Sequence, residues 1–245
     1  MYHFYVEPEA VTKDTVRITG GDVNHIKNVL RMHPQDEIIV LDGAGMEYRC
    51  KIETISEEVI TRVLEAKKTE AELSVRLLLF QGLPKKDKME LIIQKAVELG
   101  VSEIIPVLTK RTVVKLEDKK KEQKKLERWQ AIAEAAAKQS GRGSIPKVRE
   151  AVKFTEAVKM AAALDEALIP YELAEGMEEA RERVRGLHDK KTVGIFIGPE
   201  GGFEEDEIAL ATKAGIHPIT LGKRILRTET AGLCILSVIM FELEQ

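Results

Sequence analysis

The most informative segment of the sequence reads Val193-Gly194-Ile195-Phe196-Ile197-Gly198-Pro199-Glu200-Gly201-Gly202-Phe203. Its apolar first half predicts a buried strand, and residues 204–214 that follow it predict a helix. The glycines between them allow backbone amides to approach a ligand closely. Their spacing matches neither the dinucleotide fingerprint nor the P-loop. The acids at 204–207 would repel an anion, so we expect a neutral or cationic ligand. Taken alone, a tight structural turn explains the stretch equally well.

Strands and helices alternate on both sides of this stretch. The apolar runs that predict strands are 75–80, 104–108, 167–169, 193–197 and 216–221. Amphipathic spacing predicts helices over 89–97, 119–139, 178–187 and 204–214, with Gly100 and Gly141 as the C-terminal stops of the first two. This order is typical of an α/β domain, which we place at residues 73–245.

The first 72 residues have a different texture. Short β-type runs occur at 16–18, 37–41 and 48–52, with Tyr48, Cys50 and Ile52 alternating with charged residues. Residues 1–72 therefore predict a small β-rich domain, a barrel or a sandwich. The segment 40–45 resembles a Rossmann-type methyltransferase motif, but a strand pattern follows it instead of a helix, so we interpret it as a hairpin turn.

Composition and charge limit the function. The 245 residues are 44% hydrophobic and 32% charged, and no apolar run approaches the roughly 20 residues that span a bilayer. The N-terminus has no secretion-signal pattern and there are two cysteines, so we expect a cytoplasmic protein without a membrane partner. Residues 110–149 carry 13 Lys/Arg against 5 Asp/Glu (+8), and 165–182 carry 7 acids against one Arg (−6). The basic stretch predicts either a solvated helix face or a phosphate-contacting patch.

A second candidate segment is Leu221-Gly222-Lys223-Arg224-Ile225-Leu226-Arg227-Thr228-Glu229-Thr230-Ala231, between the last predicted strand and an apolar helix at 232–241. Thr228 has a structural explanation as the N-cap of that helix. Three of the charged residues between the buried strand and the buried helix have no such explanation. Arg224, Arg227 and Glu229 therefore indicate a site near this loop.

The chain as a whole resembles the ribosomal RNA small subunit methyltransferase E family, within the knotted SPOUT class of methyltransferases. The matching stretches, in order, are 25–31, 82–101, 128–142, 197–203 and 221–231. Two positions depart from the family pattern: Lys86 stands where we expect glycine, and Glu204 where a Thr or Ser cap is common.

The resemblance implies an N-terminal PUA-like β-barrel that binds RNA and a C-terminal α/β SPOUT domain with a deep trefoil knot. It implies S-adenosyl-L-methionine as the methyl donor, held by three loops. The implied donor-binding residues are Pro170, Tyr171, Glu172, Gly198, Pro199, Glu200, Gly201, Gly202, Leu221, Gly222, Ile225, Leu226 and Thr230. Proteins of this class work as homodimers, and the apolar helix 231–241 is the implied interface, although its hydrophobicity equally suits a buried helix.

The resemblance further implies methylation of N3 of one uridine in small-subunit ribosomal RNA, either free or in the assembled 30S subunit. Arg227 is the candidate that stabilises negative charge on the uracil, and Glu229 the candidate that accepts the N3 proton or orients Arg227. The implied RNA contacts are Arg31, Lys85, Lys86, Lys88, Arg111, Arg128 and Arg142. The reaction requires no metal, and the sequence has no plausible ligand cluster.

Two alternatives stay open on the sequence. One is a knotted methyltransferase that acts on a ribose 2′-hydroxyl of transfer RNA, which the N-terminal barrel disfavours. The other is a non-catalytic RNA-binding or ribosome-assembly protein, which the intact glycine loops and Arg227 disfavour. Binding of S-adenosylmethionine separates an enzyme from the non-catalytic protein.

Overall fold

The computed structural model describes residues 1–113, 119–174 and 176–244. Residues 114–118 of the basic stretch and Glu175 of the acidic stretch lie outside that description. The chain forms two compact units. The first combines Met1–Glu72 with Ala137–Ile145, and the second combines Leu73–Ala136 with Pro146–Gln245.

The first unit is built on a five-stranded sheet. Its strands are β1 (His3–Tyr5), β2 (Thr15–Ile18), β3 (Glu37–Leu41), β4 (Met46–Ile55) and β5 (Val59–Lys68), in the order β1-β3-β4-β5-β2. A short helix α1 (Gly21–Asn24) continues into a π-helical turn at His25–Val29. The three predicted runs are confirmed as strands, whereas β1 and β5 were not predicted. Alternation in β4 is confirmed too, because Cys50 and Ile52 are buried and Arg49 and Glu53 are exposed.

The segment around Asp42 is a hairpin turn, as predicted. Gly43 and Gly45 have φ angles of 68° and 100°, a region that glycine adopts readily. The Asp42 carboxylate accepts hydrogen bonds from the backbone amides of Ala44 (2.8 Å) and Met46 (3.0 Å). These bonds fix the connection between β3 and β4 without a helix.

Polar contacts join residues 137–145 to the rest of the first unit. The Tyr5 hydroxyl donates to the carbonyl oxygen of Ala137 at 3.2 Å. Burial, with a smaller effect of the Glu72 carboxylate, raises the pKa of Tyr5 to about 12. The Arg142 guanidinium donates to that carboxylate, which also accepts the amide of Ser144 at 3.1 Å. The ion pair therefore ties this segment to the end of the N-terminal stretch.

The second unit is an α/β domain on a seven-stranded sheet. Its elements are β6 (Arg76–Gly82), α2 (Lys88–Glu98), β7 (Val101–Leu108), α3 (Lys119–Ser140), β8 (Lys147–Val148), β9 (Val152–Lys153), α4 (Phe154–Ala161), β10 (Glu166–Pro170), α5 (Met177–Arg185), β11 (Thr192–Ile197), α6 (Glu205–Lys213), β12 (His217–Ile219) and α7 (Thr228–Leu243). The strand order is β12-β10-β11-β6-β7-β8, with β9 also beside β7, and every pairing is parallel. The predicted α/β class is therefore confirmed.

Three local predictions differ from the structure. The last strand ends at Ile219 instead of residue 221, and the C-terminal helix begins at Thr228 instead of Gly232. Arg227, not Thr228, is the N-cap residue of α7, so the predicted capping role of Thr228 is wrong. Helix α4 was not predicted, although Phe154, Ala157, Val158 and Ala161 are buried at helical spacing.

Strand pairing places the glycine-rich loop beside the end of β6. Phe196 pairs with Phe80 in the β11–β6 register, and their rings stack with centroids 4.5 Å apart. A methyl group added at Gly82 would lie 2.6 Å from Pro199, so the two loops touch where a side chain has no room. In open parallel sheets, ligands bind at the carboxyl ends of the strands, which is where these loops meet.

Of the helices that the structure describes, none combines the length and apolarity needed to cross a membrane.

We predict that Gly100 contributes to stability in two separable ways. It has φ +88° after α2, and an added methyl group would lie 2.6 Å from the Leu73 side chain. Gly215, after α6, has φ +86° with nothing within 4 Å. Gly215→Ala should lower the free energy of unfolding by about 1 kcal/mol through backbone strain alone. Gly100→Ala should lower the free energy of unfolding by about 1 kcal/mol more than Gly215→Ala does, because the added methyl group overpacks against Leu73. Urea denaturation measures both, and equal losses would contradict the packing role of Leu73.

Candidate functional site

A cavity of about 410 Å³ opens at the carboxyl ends of β10, β11 and β12. Three loops form its wall: the residues after β10, the glycine-rich loop between β11 and α6, and the segment between β12 and α7. Lys88, at the start of α2, lines it as well. This volume lies in the range of small-molecule sites in proteins.

The predicted donor-binding residues converge on this cavity. Those that line it are Pro170, Tyr171, Glu172, Gly198, Pro199, Glu200, Gly201, Gly202, Leu221, Gly222, Ile225 and Leu226. Thr230 does not line it, and its side chain is exposed on α7. Of the two candidate catalytic residues, Arg227 lines the cavity and Glu229 does not.

The glycine-rich loop is a tight turn that excludes side chains. Gly202 has φ +68°, and its amide donates to the carbonyl oxygen of Pro199 at 2.9 Å. A methyl group on Gly198 would lie 3.0 Å from the Cα atom of Gly202. Glycine at position 198 suits the close approach and glycine at position 202 suits the positive φ, and backbone groups form this part of the cavity wall.

One buried hydroxyl joins three segments beside the cavity. Thr228 Oγ1 donates to the carbonyl oxygen of Gly198 at 2.6 Å and accepts from Gln81 Nε2 at 2.9 Å. Gln81 also donates to the carbonyl oxygen of Gly82 at 2.9 Å. Both side chains are buried. Gln81 was not predicted as a site residue, although a lone amide at the end of an apolar strand indicates a buried polar contact.

Lys88 forms a second junction, between two acids. Its ammonium lies 3.2 Å from a carboxylate oxygen of Glu200 in the glycine-rich loop and 3.2 Å from one of Glu229 on α7. Glu200 also accepts the backbone amide of Lys85 at 3.0 Å. Burial alone would raise the pKa of Glu200, but hydrogen bonds from backbone amides and Lys88 outweigh it and lower that pKa. Lys88 is part of the cavity wall, and its predicted contact with RNA stays a prediction.

Arg111 fixes the far side of the glycine-rich loop. Its guanidinium donates to the carbonyl oxygen of Gly201 at 2.6 Å and to the Glu204 carboxylate at 2.8 Å. The hydrogen bond from Arg111 holds the pKa of Glu204 below its usual value. The acid at position 204, where the resemblance leads us to expect a hydroxyl cap, is therefore explained by its arginine partner.

Two arginines at the cavity differ from these paired groups. Arg224 and Arg227 line the cavity and are exposed. Within the part of the chain that the structure describes, neither forms an ion pair or a side-chain hydrogen bond. Glu229 therefore pairs with Lys88 and not with Arg227, so the predicted orientation of Arg227 by Glu229 is not seen. An arginine without a carboxylate partner is available to an anion or to a polarised oxygen.

The remaining predicted RNA contacts come from three parts of the chain. Lys85 and Lys86 are exposed in the loop before α2, and Lys86 has φ +57°, the conformation for which glycine is expected. Arg128 is exposed on α3 and pairs with Glu90 at 2.9 Å. Arg31 is exposed in the first unit.

Arg142 is a correction to this set. Only 2% of the residue is exposed, and its guanidinium is bonded to Glu72 inside the first unit. A phosphate could reach it only by displacing that carboxylate from a buried position, which is costly. We therefore assign Arg142 to the structure of the first unit and not to RNA binding.

Two family models match this chain, an RNA methyltransferase domain over residues 71–240 and an RNA methyltransferase PUA domain over residues 18–64. A relative from Bacillus subtilis, named ribosomal RNA small subunit methyltransferase E, is 39% identical over 234 residues, covering 94% of this chain and 91% of the relative. The chain belongs to the ribosomal RNA small subunit methyltransferase E family. The resemblance drawn from the sequence is thereby confirmed.

Other members of the methyltransferase E family match over nearly the whole chain. The relative from Synechocystis is 34% identical over 245 residues, covering 99% of this chain and 78% of the relative. A crystal structure of the Neisseria gonorrhoeae member bound to S-adenosyl methionine has 32% identity and a TM-score of 0.82, covering 98% of this chain and 97% of that one. The PUA-like N-terminal domain and the parallel-sheet methyltransferase domain are therefore established.

We predict that the Thr228 hydroxyl stabilises the cavity wall. Thr228→Val leaves the carbonyl oxygen of Gly198 and the buried Gln81 amide without this partner, which should lower the free energy of unfolding by roughly 1–3 kcal/mol. Thr228→Ser keeps the hydroxyl and should retain most of the stability. Urea denaturation of the two variants measures the difference, and a valine variant as stable as the serine variant would show that the bridge contributes nothing.

Proposed function

We propose that the protein transfers a methyl group from S-adenosylmethionine to N3 of one uridine in small-subunit ribosomal RNA. The observation that supports this most directly is Arg227, an arginine without an ion-pair partner in the described residues, at a cavity walled by glycine-rich backbone. Membership of a ribosomal RNA methyltransferase family supports the reaction class. The substrate is small-subunit RNA, free or in the assembled 30S subunit.

The cavity residues fit this donor. S-adenosylmethionine supplies an electrophilic methyl group on a positively charged sulfonium. Glu172 and Glu200 bring carboxylates to the wall, and the glycine loop brings backbone groups that can hydrogen-bond a nucleoside. The apolar side chains of Leu221, Ile225 and Leu226 complete the wall. The family member from Neisseria gonorrhoeae was crystallised with this donor, which supports the same ligand here.

Methylation at N3 requires removal of a weakly acidic proton. Lowering a pKa by two to three units takes roughly 3 to 4 kcal/mol. We assign this work to Arg227, whose guanidinium can stabilise negative charge on O2 or O4 of the uracil. A fixed cation acts more strongly in a water-poor cleft than in solution. We further propose that Arg224, which is exposed and lines the same cavity, contacts the phosphate of the target nucleotide.

Glu229 has a positioning role in this proposal. Its carboxylate is held by Lys88 and does not line the cavity, so proton acceptance would require it to leave that partner. Because Lys88 also holds Glu200, the pair couples the first turn of α7 to the glycine-rich loop. We therefore propose that Glu229 keeps Lys88, and through it the loop, in place.

RNA docking is proposed for the exposed lysines of the β6–α2 loop and for the PUA-like domain. Lys85 and Lys86 are exposed, and the Lys85 amide is bonded to Glu200 of the cavity wall. Phosphates bound there would lie beside the cavity. Arg31 and Arg128 are the further phosphate contacts in the proposal, and contacts of this kind position RNA without reading its sequence.

We predict that Arg227→Ala lowers kcat for methylation about 100-fold, because one electrostatic stabiliser of a developing anion is worth this much. Affinity for S-adenosylmethionine should hardly change. Lys223→Ala is the matched control, since Lys223 is an exposed cation on the same loop that does not line the cavity. The assay is methyl transfer to small subunits isolated from a strain that lacks the protein.

Mapping of methylated nucleotides in that strain tests the function itself. We expect one lost N3-methyluridine in the small-subunit RNA, restored by the wild type and by Lys223→Ala but poorly by Arg227→Ala. A lost ribose methyl group in transfer RNA would favour the transfer RNA alternative, and no lost methyl group would favour a non-catalytic assembly protein. Full restoration by Arg227→Ala would remove Arg227 from the mechanism.

We propose in addition that the protein is a homodimer that pairs through α7. Thr230, Cys234, Val238 and Phe241 recur at helical spacing on the side of α7 away from its buried residues. Phe241 is 82% exposed and Val238 is 50% exposed, a large apolar surface for a single helix.

Sedimentation velocity tests the dimer. The wild type should sediment as a dimer and Phe241→Glu as a monomer, because burying an unpaired charge in an interface costs free energy. Val29→Glu changes an apolar residue of the first unit that is 63% exposed, and it should leave the dimer intact. A monomeric wild type would refute this proposal without affecting the proposed reaction.

A further inference from the structure

A second cavity lies in the same unit of the structure. Its volume is about 300 Å³. Leu83, which follows β6, lines one wall, and the first half of α3 lines another through Leu126 and Trp129. The residues just before β9 complete it. The proposed methyl-transfer reaction does not use this cavity.

The wall of the cavity combines an aromatic ring with cations. Trp129 is the only tryptophan of the chain and is partly exposed. Lys119, Lys125 and Arg149 line the same space. In the described part of the chain neither lysine has an ion-pair partner, whereas Arg149 is bound to the buried carboxylate of Glu103. Aromatic rings beside unpaired cations are the elements with which proteins bind single-stranded nucleic acid.

We propose that this cavity binds one nucleotide of single-stranded RNA, with its base on Trp129 and its phosphate on Lys119 and Lys125. The inference rests on the proposed function, in that the RNA is the methylation substrate. Glu122 and Glu150 also line the cavity, and a carboxylate accepts hydrogen bonds from the exocyclic amino group of a base. The site therefore favours a base with an amino group, such as cytosine, over uracil.

The position of the loop connects this site to the first cavity. Leu83 lines the second cavity and Lys88 lines the first, and five residues of chain span at most about 18 Å. Lys85 and Lys86 lie between them and are exposed. A strand seated on Trp129 can pass over these two lysines to the first cavity. The nucleotide bound by Trp129 is then a few positions along the RNA from the methylated nucleotide. Recognition of this nearby base helps the protein to select its target uridine.

Trp129 is also the reporter for the test, because all tryptophan emission of the chain comes from this residue. Adding a short oligocytidylate to the full-length protein should quench that emission to saturation. Lys125→Gln should weaken binding about tenfold, the size of one lost stacked or charged contact. Lys124→Gln is the matched control, since this neighbouring exposed lysine does not line the cavity.

Trp129→Phe keeps an aromatic ring, and its affinity is measured by anisotropy of a labelled oligocytidylate. It should bind within a few fold of the wild type, whereas Trp129→Ala should lose about tenfold. Thermal unfolding shows whether the alanine variant is folded. If it is not, the oligocytidylate affinity of Lys125→Gln tests the site. Binding without quenching, or equal affinities for Lys124→Gln and Lys125→Gln, would overturn the site.

Calorimetry with S-adenosylmethionine separates this inference from the proposed function. Donor binding and methylation in the wild type, together with unchanged oligocytidylate affinity in Lys125→Gln and Trp129→Ala, would overturn the nucleotide site alone. A wild type that neither binds the donor nor methylates small subunits would refute the proposed function, and the RNA site would be refuted with it.

Discussion

The hydroxyl of Thr228 is the contact on which the cavity depends, because it bonds to the carbonyl oxygen of Gly198 and to the amide of Gln81 inside the fold. The three residues come from the start of α7, the glycine-rich loop and the end of β6. Leaving a buried carbonyl oxygen or a buried amide without a hydrogen-bond partner costs free energy. Each segment therefore has one low-energy position relative to the others. The loop conformations are therefore set by the interior of the domain before any ligand binds.

This constraint has a direct consequence for the chemistry. Arg227 precedes Thr228, so the bridge that fixes the threonine also fixes the backbone of the arginine at the edge of the cavity. Lys88 is paired with Glu200 and Glu229, and Arg111 with Glu204, whereas Arg224 and Arg227 have no ion-pair partner among the described residues. Arg227 is left with its charge available to a substrate. A charge placed before the reaction needs no reorganisation during it, which is the basis of electrostatic catalysis.

Much of this arrangement could be predicted from the sequence. Period-two and period-3.6 patterns located most strands and helices, because the spacing of apolar residues along the sequence depends on which faces of an element are buried. The resemblance brought Gly198–Gly202 and residues 221–226 together, and the structure places them in one cavity. The trefoil knot stays a prediction, since strand order alone does not trace the path of the chain.

Other features could not be predicted because they depend on partners distant in sequence. Gln81 and Thr228 are 147 residues apart, and no local pattern pairs them. An arginine in a basic stretch is expected at the surface, and Arg142 can be buried because the Glu72 carboxylate pairs with it. Glu229 and Thr230 do not line the cavity, and α7 starts about one turn earlier than its apolar run suggested.

A crystal structure of the protein with S-adenosylmethionine tests whether the fold itself builds the donor site. We expect the donor in the cavity between residues 170–172, 198–202 and 221–226, with the Thr228 bridge unchanged and the methyl group directed toward the side of Arg227. A donor bound elsewhere, or loops that separate with the Thr228–Gly198 contact broken, would contradict the claim that the fold itself builds the site.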